Sequence, residues 1–156
     1  MLSDGNALVQ SQITLWKEQI RPNIDRALAL VPDDKLDWAP AANMLTLGNI
    51  FLHISECSDW WSGEVIRGSP AMELSGGSCP PKTIIAMLLD AHWSRLDELF
   101  ARPPETLSES YSVTREGKTT RYDGCWLFTH LLEHDIHHRG QINQYLRILG
   151  ITPPEI

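Results

Sequence analysis

Several features are scarce in this sequence, and each shortage closes off a class of function. No uninterrupted apolar run approaches the ~20 residues that a membrane-spanning helix needs, so no membrane partner is expected. Cations are outnumbered, with 13 Lys and Arg against 20 Asp and Glu and a net charge of −7. No basic stripe offsets that balance. Nucleic acid is therefore not an expected partner, because its affinity rests on cationic side chains that neutralise phosphates. Cysteine is limited to Cys57, Cys79 and Cys125, an odd number without CxxC spacing. Such thiols read as reduced, small hydrophobes rather than a disulfide framework. Repeats and low-complexity tracts are missing, and no composition shift marks a boundary, so a single domain over residues 1–156 is expected. The opening "MLSDGNALVQSQITLWKEQI" carries acids and amides where a signal peptide has a basic start and an apolar stretch. The expected location is the cytoplasm.

What is present is a helical pattern. The hydrophobic share of 42% in 156 residues is enough for a real core. Residues 7–30 place Leu8, Ile13, Trp16, Ile20, Ile24 and Leu28 at helical spacing, with Pro22 predicting a kink or break. "VPDDKLDWAP" punctuates the chain. Thr46 is a suitable N-cap for a second helix that Gly68 ends. A third runs from about Lys82 to Ala101 and stops at "RPPETLSES". "YSVTREGKTTRYDG" reads as a long loop or a short hairpin around Glu116–Gly117. The last helix spans about Tyr122 to Leu149. Four such helices predict an all-α four-helix bundle whose connection before the last helix is longer than the usual ~2–8 residues.

Four of six histidines lie in "FTHLLEHDIHHRGQINQYLRILG". At about 100° per residue, His134 and His138 share one apolar arc with Leu127, Leu131, Ile142 and Tyr145. His130, His137 and Glu133 fall at or beyond its edge. Two imidazoles one turn apart can reach one metal ion, and a catalytic site needs a third protein ligand plus an open position. His53, on the line Ile50, His53, Cys57, Trp60 and Glu64, is that third candidate. His92 reads as structural or exposed. A rival pattern overlaps the same segment: His130, Glu133 and His134 form H-x-x-E-H, the inverted zinc-hydrolase motif with Glu133 as base. It ranks lower because His130 and Glu133 lean off the arc and a small bundle offers no peptide cleft.

Supporting roles are read with the simpler alternative beside each. Gln141 supports a ligand or bridges helices. Asp135 and Glu133 orient imidazoles or are solvated edges. Arg139 pairs with an acid on a neighbouring helix. Tyr145 is core. One of Trp60 and Trp61 walls a pocket, and Gly140 lets a helix approach. Imidazole ligands must be neutral, so affinity for an ion is expected to fall below the ordinary histidine pKa of about 6.5.

"LVPDDKLDWAP", "TLGNIFLHISECSDWW" and "HLLEHDIHHRGQINQYLRILG" together resemble the DinB / YfiT-like superfamily of metal-dependent proteins, in order and over nearly the whole chain. The resemblance implies an up-down-down-up four-helix bundle, a homodimer, and a three-histidine site open to solvent. Carried over by position, the ligands are His53, His134 and His138. It also implies one divalent ion, zinc or nickel foremost, and metal-dependent thiol-S-transferase chemistry. The co-substrate is then a low-molecular-weight thiol acting on a small-molecule substrate. A metal-binding stress-response module without turnover is the alternative.

Overall fold

The structure is a computed structural model that describes residues 4–102 and 107–155. The prolines expected to stop the third helix, Pro103 and Pro104, lie outside the described residues. Helix α1 (Asp4–Leu15) runs without interruption into a π-helical segment (Trp16–Ile20) and then α2 (Arg21–Leu30). Of the kink or break expected at Pro22, the break does not occur. Its ring would crowd a carbonyl four residues back and removes one N–H. The preceding turn widens instead, and the Arg21 N–H donates five residues back, to the Trp16 carbonyl.

Helix α3 (Leu47–Asp59) begins where the sequence placed it. The Thr46 hydroxyl accepts from the Asn49 N–H at 3.4 Å. The helix continues as a second π-helical segment (Trp60–Arg67) and ends at Gly68, whose φ of 68° suits glycine. Helix α4 spans Lys82–Phe100, and α5 spans Gly124–Ile148 with Asp123 as its N-cap. Between them lies a hairpin, β1 (Ser110–Arg115) and β2 (Lys118–Asp123), in register Arg115↔Lys118 to Ser110↔Asp123. Its two-residue turn puts Glu116 and Gly117 at φ of 51° and 76°, the paired positive values that match strand twist. The fold is thus mostly helical, with four long helical segments and one small sheet. Among the described residues, no helix is long and apolar enough to cross a membrane.

The main packing pairs are α3 with α4 and α5, and α2 with α4 and α5. Helices consecutive in sequence, the first segment and α3 or α4 and α5, therefore sit across the core from one another. The core is built on Trp16, Ile24, Phe51, Ile85, Leu89, Trp93, Leu127 and Ile142, all buried. Trp16 sets its ring edge against Trp93 and Phe100 at 5.6 and 5.3 Å.

One charge is sealed inside this core. Asp135 has no exposed surface. It accepts the Trp16 indole N–H at 2.7 Å, and His92 Nε2 lies 3.1 Å from both of its oxygens. His92 is therefore structural and buried. Burial alone would raise the Asp135 carboxyl. The adjoining histidines and the hydrogen bonds from His92 and Trp16 reverse this and hold it at about 2. Asp135→Ala strands two buried polar side chains and should lower unfolding free energy by about 3 kcal/mol in urea titration. An unchanged midpoint would mean that the network contributes nothing to stability.

Candidate metal site

Helix α3 presents His53, and α5 presents His134 and His138 one turn apart. The structure brings these three together. His53 Nε2 and His134 Nε2 are 3.3 Å apart. One ring nitrogen from each of the three lies within 4.8 Å of the others. Two such lone pairs held this close repel unless a proton or a cation lies between them, which makes the donor set a fit for a metal ion.

The outer nitrogens are held as well. His138 Nδ1 donates to the side-chain Oε1 of Gln141 at 2.7 Å, leaving its Nε2 lone pair free. His53 Nδ1 faces Glu56 Oε2 at 3.5 Å. Glu56 in turn accepts from the Leu74 N–H at 3.0 Å and the Ser75 hydroxyl at 2.6 Å. His134 Nδ1 has no hydrogen-bond partner among the described residues. Asp135 Oδ1 lies 3.9 Å away, beyond hydrogen-bond reach but near enough to act through its field. Burial lowers the pKa of His138 to about 4, helped by His134 and His53 and opposed by Gln141. Burial also lowers His134, against the pull of Asp135. At neutral pH both offer lone pairs rather than protons.

A cavity of about 540 Å³ opens beside the cluster on the His53 and His134 side. Trp60, Trp61 and Met72 contribute its apolar walls, and Glu56, Glu64, Glu73 and Arg115 its charges. Both tryptophans line it, where only one was expected. The loop carrying Met72 and Leu74 is strapped along α3. The Met72 N–H donates to Asp59 at 2.7 Å, and the Gly76 N–H to Asn49 at 2.8 Å. Cys57 also reaches the cavity; burial, then the charge of Asp135, pushes its thiol up.

His130 lines the cavity but stands outside the cluster. It stacks on Trp126 at 4.8 Å and meets His134 edge-on at 5.9 Å. Glu133, its partner in the rival motif, is 75% exposed and 3.9 Å from His130. His137 is exposed, with its ring 4.8 Å from that of His138. Other expectations need correction. Arg139 has no acidic partner among the described residues, and its Nε and Nη1 are buried without an acceptor. An added Cβ at Gly140 would meet nothing within 4 Å, so no helix approaches there. Tyr145 is core, donating to the Leu45 carbonyl at 3.1 Å and packing on Trp38. Sequence reasoning missed Glu56 and Arg115, and it placed Glu64 on the His53 line without giving it a role. Glu56 was findable, since it follows His53 by three residues on one helix face.

Two solved structures share this architecture. A DinB-like protein, YjoA, from Bacillus subtilis matches with a TM-score of 0.65 at 16% identity, covering 95% of this chain and 96% of that one. A DinB-like protein from Bacillus cereus ATCC 10987 matches with a TM-score of 0.68 at 21% identity, covering 94% and 96%. No curated protein is a significant match. Across residues 1–156 the sequence matches the DinB family, and the chain belongs to it.

Proposed function

We propose that His53, His134 and His138 hold one divalent ion, and that the protein uses it in thiol-dependent group transfer. The observation that carries this reading is the convergence of three imidazole nitrogens within 4.8 Å beside a cavity large enough for a substrate. Zinc and nickel suit three nitrogen donors. Bound there, such an ion supplies a Lewis acid that favours the deprotonated form of a thiol. In such a transfer the sulfur would bond to an electrophilic carbon as that carbon's leaving group departs, with the thiol proton passing to solvent. Gln141 and Glu56 keep two of the imidazoles aimed inward. Trp60, Trp61 and Met72 shield the reacting sulfur from water. Within the same reading the chain is an up-down-down-up four-helix bundle, pairs as a homodimer and works in the cytoplasm.

His53→Ala, His134→Ala and His138→Ala should each sharply reduce metal content, measured by elemental analysis of untagged protein, while His92→Ala and His130→Ala should not. Full occupancy in His53→Ala would remove the third ligand. Gln141→Ala should weaken affinity by about tenfold to a hundredfold. In cobalt-loaded protein, a thiol from the panel cysteine, glutathione, bacillithiol and mycothiol should add a sulfur-to-metal charge-transfer band, absent in His138→Ala. Silence across the panel would leave the metal-binding module without turnover as the better reading.

The pH dependence differs from that of three ordinary imidazoles. A proton competes with an ion for each ligand nitrogen. Because the pKa values of His134 and His138 are depressed, His138 to about 4, competition at these two begins below the ordinary range of about 6.5. Occupancy followed by pH titration should therefore reach its full proton-linked slope only as pH falls towards 4. A complete loss just below pH 6.5 would contradict the burial of these rings.

A further inference from the structure

The cavity beside the histidines already contains a cation, and it belongs to the protein. Arg115, the last residue of β1, donates from Nε to Glu64 Oε1 and from Nη2 to Glu64 Oε2, both at 2.9 Å. Its guanidinium carbon also lies 5.0 Å from the centre of the Trp60 ring. A carboxylate and an aromatic face together are what recognise a guanidinium or an ammonium group.

The two halves of this pair are unequal. The Glu64 side chain is 25% exposed and projects from a helical segment, whereas that of Arg115 is 59% exposed and adjoins a hairpin turn. Arg115 can swing into water and regain its hydration at little cost. Glu64, left alone, would face the cavity with Glu56 and Glu73. An entering group therefore exchanges with Arg115 rather than with Glu64, and it must bring the charge that Arg115 takes away. Besides any ion on the histidines, an anion meets three carboxylates and one cation that is already bound.

We propose that the substrate entering this cavity carries an amine or guanidine cation, seated between Glu64 and Trp60 where Arg115 now stands in for it. This rests on reading the cavity as the substrate site. It favours an aminothiol or a cationic acceptor there over a thiol rich in carboxylates.

The test is calorimetric binding near neutral pH of phenylguanidine, its neutral isostere phenylurea, and benzoate to the zinc-loaded protein. Phenylguanidine should bind roughly tenfold more tightly than phenylurea, and on metal-free protein, where no ion can take up a carboxylate, benzoate should be weakest. Arg115→Ala removes the internal competitor and should tighten phenylguanidine several-fold. Glu64→Gln should erase the difference between the isosteres. Benzoate binding that is tightest in the wild type and lost in Arg115→Ala would make Arg115 an anion receptor and overturn the proposal. Equal binding of the isosteres, or no binding of any probe, would overturn it too. The titrations are repeated on metal-free protein. There the cation preference should persist, while failure of the metal reading shows separately, as absent zinc stoichiometry.

Discussion

The geometry of the site depends on a carboxylate that never meets water. Asp135 takes hydrogen bonds from the first helix through Trp16 and from α4 through His92. Those two contacts fix the rotation of α5 about its own axis, because a buried charge has few acceptable positions. His134 is the preceding residue and His138 lies one turn beyond it. Turning α5 by one residue, about 100°, would carry both imidazoles away from His53. The apolar contacts of α5 could be remade at several rotations, but the Asp135 hydrogen bonds could not.

Two π-helical turns complete the placement. The first begins at Trp16, the residue that donates to Asp135, and it accommodates Pro22 without breaking the helix. The second begins at Trp60 and brings Trp60, Trp61 and Glu64 along one cavity wall. Adjacent residues of a helix ordinarily point about 100° apart. Widened turns change that offset locally, which is why such turns collect at functional sites. It also accounts for both tryptophans lining a cavity that helical spacing would have given to one.

Much of this was legible in the sequence because it follows from local rules. Thr46 and Gly68 mark helix ends by hydroxyl capping and positive φ. His134 and His138 share an arc with Leu127, Leu131 and Ile142, and those apolar residues are all buried. The reading failed where a helix buries a second face. Phe128, Asp135 and Leu146 fall at about +100° to +120° from His134, and all are buried, Asp135 against Trp16 and Phe128 against Phe100 of α4. One apolar arc was taken as the whole buried surface, so Asp135 looked like a solvated edge. Arg139 and Gly140 went astray for a related reason. Their surroundings are set by the fold and not by the helix that carries them. Pro22 obeyed its chemistry, but the chain relieved the clash by widening a turn rather than by ending one.

The parts of the site differ in how firmly they are held. The three histidines stand on helices, and Gln141 and Glu56 reach their rings from one turn further along the same helices. The cavity's outer parts come from elsewhere. Met72 sits on a strap held by side chains of α3, and Arg115 on a two-stranded hairpin. An isolated hairpin is only marginally stable by itself. This one is tied to the bundle by the Gly124 N–H to the Glu109 carbonyl, by Tyr122 against Trp61, and by the Arg115–Glu64 pair. Of these ties, the ion pair is the most exposed to solvent and the least costly to break. Ligand geometry thus rests on the rigid core. The outer wall of the cavity rests on elements that lie outside the helices carrying His53, His134 and His138. On the proposed reading, that division would let changes at Arg115, Glu64 and Met72 alter what the cavity accepts without moving the histidines or Asp135.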